Sequence, residues 1–359
     1  MKTARDTLPR PTINDIARVA SVSLATVDRV LNDRPGVRAA TVTRVHEAIA
    51  ELGYVRDAAA ASLARGRIYT FTFILPSSGN EFIALLEDQI AQLSNRLRHE
   101  RTRLNAVRVA AFDPVALAEA IRQVDHDAVD GVAIFGPETP SVRDSVAHLK
   151  ARGVSVVSLV ADIPSSERDT YVGLDNVAAG RTAAQLMGRF LGPVTGRILV
   201  VTGSMLARDH LERRLGFDEV MARDFPGLEV LPSLEGRDDP ETIERLLPDA
   251  LAGRDVVGLY SSAAGNEGLL RHFGRAGAGP KPVIVAHELT PLSRAALAEG
   301  VFDAVISQDA GHLVRSAVRI MRARSDSLPI NPAQERIRID VYLRENMPPE
   351  GAMQGGQET

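Results

Sequence analysis

The sequence predicts a small N-terminal all-α head of three short helices, followed by an α/β body of two lobes with doubly wound parallel sheets. Three observations carry that prediction. Residues 12–52 hold short segments with helical apolar spacing, and from residue 69 strand-like runs alternate with amphipathic stretches. The chain's 359 residues also exceed one ordinary hydrophobic core.

In the head, apolar residues recur at Ile13, Ile16, Ala17 and Ala20, then at Val27, Val30 and Leu31. Thr12 and Ser23 are placed to cap these two helices, because a hydroxyl can accept from an orphan amide of the first turn. After NDRPGV, Thr41 is expected to cap a third helix running to Leu52, with Val42, Val45, Ile49 and Leu52 on one face and Gly53 as its stop. The second helix carries small and hydroxyl residues where a core helix would carry bulk. A helix, the tight turn VASVS and a lightly apolar second helix match a helix-turn-helix, whose second helix lies in the DNA major groove. Residues 57–65, DAAAASLAR, favour helix but bury almost nothing and are too short to be stable alone, so something external must order them.

Strand-like runs follow at 69–75, 104–112, 131–136, 154–161, 171–174, 197–203, 256–262, 282–288 and 302–308. Nine strands interleaved with helices imply parallel sheets covered on both faces, and two sheets rather than one. Hydrophobic residues make up 45% and charged residues 25%, and no apolar run approaches the ~18–20 residues of a spanning helix. MKTARDTLPRPT lacks the apolar core of a secretion signal and the chain has no cysteine, which together suggest a cytoplasmic protein. The net charge of −4 is uneven: residues 1–67 hold eleven Lys/Arg against seven Asp/Glu, the remainder 31 against 39. A basic head on an acidic body points to a polyanionic partner for the head alone. No phosphate loop, dinucleotide-binding glycine pattern or paired-histidine zinc motif is present, so no enzyme and no cofactor are expected.

TINDIARVASVSLATVDRVLN, followed by GV, Thr41, AIAELGY and SLARGR, resembles the lactose-repressor (LacI/GalR) family in order and spacing. The resemblance implies that Leu24, Ala25 and Asp28 face base edges while Ser23, Thr26, Arg29 and Asn32 hold the backbone, with Thr12, Thr41 and Tyr54 in the same DNA-binding head. Hydroxyls, Asn and Arg are the phosphate-positioning types. The plain alternative for Thr26 and Arg29 is a cap and a surface ion pair, and Asp28 either accepts from a cytosine amino group or faces water. Ser21 stands where the family's turn has glycine, and Arg56-Asp57 where relatives have Pro-Asn. The resemblance also implies that residues 57–65 fold on the operator beside their dimer mate. Leu63 would enter the minor groove and Arg65 and Arg67 would follow phosphates. A contact of Leu63 against the body is the plain alternative.

The body resembles the family's periplasmic-binding-protein-like (type I) sensor, particularly its ribose-binding type. This implies a helix-turn-helix domain at 10–56, a hinge at 57–67 and a sensor at 68–347, with a tail at 348–359 expected to fray. Lobe 1 would comprise about 69–168 plus 300–329, and lobe 2 about 169–299 plus 330–347. The ligand would sit at the strands' carboxyl ends. Candidate contacts are Asn80, Phe82, Ala161, Arg213, Ser261, Ser262, Glu288 and Gln308. Arg, Glu, Gln and Asn with one aromatic suit a polyol, since each hydroxyl both donates and accepts. The plain alternatives are a core role for Phe82, a helix-surface ion pair for Arg213, and helix caps for Asn80 and Glu288; Asp175 reads as a cap. Val160 and Ala161 stand where the ribose type has Asp-Arg, with Asp162 next, so a polyol, an inositol or a sugar acid competes with a simple sugar. The implied function is a homodimeric repressor of a palindromic operator, controlled by such an effector. A solute-binding protein without DNA function is the alternative.

Overall fold

The computed structural model describes residues 11–31, 35–52, 54, 67–77, 79–274 and 281–349. The chain divides into two compact units, Met1–Arg67 and Ile68–Thr359. Asn32, Gly53, Leu63 and Arg65 lie outside the described residues, as do the expected hinge segment 57–65 and the tail from residue 350.

In the first unit, α1 (Ile13–Val19), α2 (Leu24–Leu31) and α3 (Ala39–Leu52) close on a core of Ile16, Ala17, Ala20, Val27, Val30, Val45 and Ala48. Ile13 is not part of it; it is 41% exposed, since the first helical residue starts a turn short of the packed face. Thr12 caps α1 indirectly: its hydroxyl and amide both donate to one oxygen of Asp15, at 2.8 and 2.9 Å. Ser23 caps α2 by accepting from the Thr26 amide at 3.2 Å. Thr41 is not a cap. The helix begins at Ala39, and the Arg38 carbonyl accepts from the amides of Thr41 and Val42, which puts Thr41 inside the first turn. Ser21 adopts φ 50°, so the turn between α1 and α2 keeps the left-handed geometry glycine would favour. Such a residue costs about 1–3 kcal/mol.

The second unit holds two sheets. The first comprises β1 (Tyr69–Ser77), β2 (Thr102–Ala110), β3 (Gly131–Ile134), β4 (Ser155–Leu159) and β5 (Thr170–Val172), ordered β2-β1-β3-β4-β5 and parallel throughout. The second comprises β6 (Gly196–Thr202), β7 (Leu228–Val230), β8 (Leu234–Glu235), β9 (Val256–Ser261), β10 (Val283–His287), β11 (Ala304–Ser307) and β12 (Asp340–Tyr342). Its path is β12-β11-β10-β9-β6-β7, with β8 also on β6, and only β12 is antiparallel. Near-continuous buried runs such as Phe71 to Leu75 and Ile198 to Val201 are what a sheet covered on both faces demands.

Helices complete the layers: α4 (Glu81–Leu97), α5 (Pro114–Arg122), α6 (Pro140–Ala151), α7 (Asn176–Leu191), α8 (Arg208–Asp224), α9 (Pro240–Leu251), α10 (Asn266–Phe273), α11 (Pro291–Ala298) and α12 (Ala310–Ser325). Helices α4 and α12 cover one face of the first sheet, α5 and α6 the other; α7 and α8 pair against the second sheet, opposite α9 and α10. The lobe boundaries differ from the expected 168/169 and 299/300. β5 pairs with β4, and β11 pairs with β10, so the chain crosses at 173–175, at 308–309, and again at 326–339 on its way to β12. Residues 300–307 thus belong to the second lobe and 170–172 to the first, because strand pairing and not chain order fixes membership.

Candidate functional site

On the first unit, α2 turns two faces outward from its buried Val27 and Val30. Ser23, Leu24, Ala25, Asp28 and Arg29 are exposed, Leu24 by 50%, and Thr26 is half-buried. An exposed leucine beside an alanine, with no bulk around them, is a surface shaped for close approach. The hydroxyls of Ser23 and Thr26 lie 2.9 Å apart, so Thr26 belongs to the cap network and also borders the open face. Arg29 makes no ion pair with a described residue, which leaves its charge for a partner. Asp15 is held below the usual carboxylate range by the Thr12 amide, then the Thr12 hydroxyl and Arg18. Tyr54 is half-buried against the same core.

On the second unit, the carboxyl ends of both sheets face one cleft. Asn80, Phe82, Ala161, Arg213 and Glu288 line it. Arg213 projects from the inner face of α8 and is 3% exposed. Its Nε donates to Asn176 Oδ1 at 2.9 Å and its Nη1 to the Ser262 carbonyl at 2.8 Å, while Nη2 lies 3.7 Å from Glu288 Oε1. A helix-surface ion pair is therefore not its role. Its position depends on two glycines: a Cβ on Gly180 would stand 1.9 Å from the Arg213 carbonyl oxygen, and one on Gly216 2.0 Å from that of Val177. Only their absence lets α7 and α8 cross so closely.

Glu288 has φ 63° and receives Gln308 Nε2 at 2.9 Å on one oxygen and the Gln308 amide at 3.3 Å on the other. Burial pushes its pKa up, against the opposing pull of Arg213 and of Gln308. The cap of α11 is Thr290, which accepts from the Ser293 amide, and not Glu288. Asn80 caps α4 by accepting from the Phe82 amide at 2.8 Å, yet its amide nitrogen reaches across the cleft to Asp238 Oδ2 at 3.3 Å. Phe82 is 5% exposed and belongs to the core as well as the cleft wall. Asp175 caps α7 through the Ala178 amide.

Ser261, Ser262 and Gln308 do not reach the cleft lining; they stand one layer behind it. The Ser261 hydroxyl donates to Asn266 Oδ1 at 2.6 Å, the Ser262 hydroxyl to the Val201 carbonyl at 3.2 Å, and Gln308 orients Glu288. Strand ends are pleated, so of consecutive residues only some point outward. Ala161 brings no polar atom beyond the backbone. Asp162 turns into its own lobe, where Ser158, Arg168 and the Ile163 amide all donate to it, at 2.7 Å from Ser158. Although burial raises its pKa, these bonds keep it below the usual range.

Sequence reasoning missed Asp209, His210, Asp238, Asn266 and His287, all on the cleft wall of the second lobe. Their signal was positional: 203–210 follow β6, 236–239 follow β8 and 262–266 follow β9. His287 is buried and its Nε2 lies 2.8 Å from the Tyr260 hydroxyl. Burial, then the charges of Arg213 and His210, holds it well below the usual histidine pKa, so it is neutral. The lobes also meet through Arg208 and Glu138 at 3.2 Å and through the rings of Phe112 and His210. Among the described residues no group of three His, Cys, Asp or Glu is placed to hold a metal ion, and no helix is long and apolar enough to cross a membrane.

Comparison with known proteins agrees with this division. Residues 12–57 match the family model of bacterial regulatory proteins of the lacI family, and residues 71–327 that of the periplasmic binding protein domain. The chain is 32% identical over 174 residues to catabolite control protein A of Priestia megaterium, covering 48% of this chain and 50% of that one. It is 27% identical over 262 residues to the HTH-type transcriptional regulator pepR1 of Lactobacillus delbrueckii subsp. lactis, covering 70% and 75%. Among solved structures, a solute-binding protein from Burkholderia graminis in complex with D-arabinose superposes with a TM-score of 0.71 at 20% identity, over 78% of this chain and 96% of that one. One from Bacillus halodurans with bound myo-inositol gives 0.69 at 16% identity, over 78% and 96%. The chain thus belongs to the lacI family of bacterial regulatory proteins: it is a DNA-binding, ligand-responsive transcriptional regulator with a helix-turn-helix head and a periplasmic-binding-protein-type body.

Proposed function

We propose that the protein represses transcription as a homodimer on a palindromic operator and that a small sugar or polyol in the cleft sets its DNA affinity. The observation that carries the reading is the Arg213 network. A buried guanidinium is shared among Asn176, the Ser262 carbonyl and Glu288, with Asn80 opposite, at the mouth of two sheets. Such a set offers paired donors and acceptors at short range, which suits hydroxyl groups. The bound arabinose and inositol of the fold's neighbours agree with that class.

In this reading Leu24, Ala25 and Asp28 meet base edges, and Ser23, Thr26 and Arg29 hold phosphates. Thr12, Thr41 and Tyr54 shape and support that surface. Asn32, Leu63 and Arg65, outside the described residues, keep the DNA contacts implied by the family resemblance. Two-fold symmetry of the dimer would match two half-sites. Effector binding shifts the balance between lobe arrangements, and DNA affinity changes by the effector's differential affinity for them. The test is operator selection from random palindromes, followed by DNA titration with and without sugars and polyols. Sequence-specific binding that a sugar modulates is expected; specific binding that no sugar or polyol alters overturns the effector assignment.

A further inference from the structure

We propose that Asp209 and Asp238 are effector-binding residues, and that they select a ligand carrying an ammonium group among its hydroxyls, an amino sugar or aminopolyol, over sugar acids and phosphates. The inference rests on the reading of the cleft as the effector site and narrows its ligand class.

The charge arrangement carries it. Of the ionisable side chains lining the cleft, Arg213 is the single Lys or Arg among the described residues, against Glu81, Asp209, Asp238, Glu267 and Glu288. Glu267 is taken by Arg271 at 2.8 Å, outside the cleft. The charge of Arg213 is shared with Glu288, while its Nε and Nη1 donate to Asn176 and the Ser262 carbonyl. Asp209 is 4% exposed and its nearest possible cation is His210, whose Nε2 lies 3.6 Å away. His210 Nδ1 lies 3.2 Å from both the amide nitrogen and the carbonyl oxygen of Ser204. Among the described residues Asp238 receives neutral donors, Asn80 Nδ2 at 3.3 Å and the Ala264 amide at 3.4 Å. Burial pushes its pKa up, opposed by His210 and reinforced by Asp209. Gly203 permits the cluster, since a Cβ there would stand 2.3 Å from Asp238 Oδ1 and 2.6 Å from His210 Cε1.

Two enclosed acidic side chains, with one histidine beside them and no Lys or Arg among the described residues paired to either, disfavour an anion and gain from an ammonium that restores the charge balance. A second feature marks the same wall as built for a ligand. His287, 1% exposed and lining the cleft, has a buried Nδ1 with no hydrogen-bond partner. A buried imidazole nitrogen without a partner is costly, and a ligand hydroxyl that reached it would recover that cost. The site is not a metal site, as the described residues group no three such side chains around one point.

The test uses triplets that share a carbon skeleton and differ in charge: D-glucosamine, D-glucose and D-glucuronate, and the corresponding galactose and mannose series. Each is titrated into the full chain by calorimetry and by thermal unfolding, beside Asp209→Asn and Asp238→Asn. An amine member is expected to bind tightest of its triplet and the acid weakest. The amine-to-neutral preference should fall about tenfold or more in either variant. An acid that binds as tightly as its amine, an unchanged preference in both variants, or no binding by any amine at millimolar concentration overturns the proposal. Binding by neutral sugars without preference for the amine leaves the effector reading standing and removes only this one. Binding by no member of any triplet counts against both.

Discussion

Replacing Arg213 by methionine removes the guanidinium and keeps most of the side chain's volume. Arg213 is 3% exposed and Glu288 8%, so the change strands a carboxylate with no replacement from solvent. At 3.7 Å and an effective dielectric near 20, the lost attraction is about 4 kcal/mol. Asn176 Oδ1 and the Ser262 carbonyl lose their donors as well, at about 1–3 kcal/mol each before relaxation. Glu288 limits the damage by taking up a proton, since its pKa already stands raised. The net expectation is a loss of about 3–5 kcal/mol, or a drop of roughly 10 °C in melting temperature for a unit of this size. Glu288→Gln in the same background should restore part of it, because the uncompensated charge is gone. Urea unfolding of both single variants and the double variant forms a cycle with an expected coupling of about 1–3 kcal/mol. Additive losses in that cycle would show that Arg213 and Glu288 do not act as a pair.

Gly180→Ala forces a methyl to within 1.9 Å of the Arg213 carbonyl oxygen, so α7 and α8 must part; a loss of about 3 kcal/mol or more in unfolding free energy is expected, and wild-type stability would contradict the packing. Arg29→Ala should weaken binding to all DNA sequences and reduce the salt dependence by about one counterion; an unchanged slope in a salt titration removes Arg29 from the phosphate contacts. Glu288 has its folded pKa raised above the ordinary 4.5. Its contribution to stability is therefore full below about pH 4.5 and lost as pH rises through the folded value. Glu288→Gln should flatten the stability profile over that window, and a profile as steep as the wild type's would contradict the assignment.

Nine of the strands were legible, most of them because buried parallel strands read as continuous apolar runs bounded by turns, as in YTFTFIL and RILVVTG, although β2 is largely exposed. Strands β7, β8 and β12 were not, since two or three residues leave no period to detect; β5, equally short, was found through the apolar run YVGL that continues past it. The lobe crossings were misplaced for a related reason: FDAVISQ reads as a strand, but nothing local says which sheet it joins. In the cleft, family spacing located Arg213 and Glu288. It placed Ser261, Ser262 and Gln308 a layer too far forward because the direction of a side chain at a strand end depends on pleat and bulge. Asp209, in the first turn of α8, and Asp238, in the loop after β8, were missed because neither ends a strand run that the sequence shows, and β8 itself has only two residues. In the head, Thr12 looked like a simple cap, whereas its hydroxyl donates to Asp15 and the carboxylate does the capping.

A molecule held in the cleft is expected to change how tightly the head grips DNA. Fluorescence anisotropy of a selected operator duplex, titrated with the full chain at zero and at saturating concentration of a ligand that calorimetry shows to bind, measures that coupling directly. The operator Kd should change by about 5–150-fold, with ligand affinity shifted by the same factor when DNA is present. An operator Kd that stays constant while the cleft is saturated would contradict it.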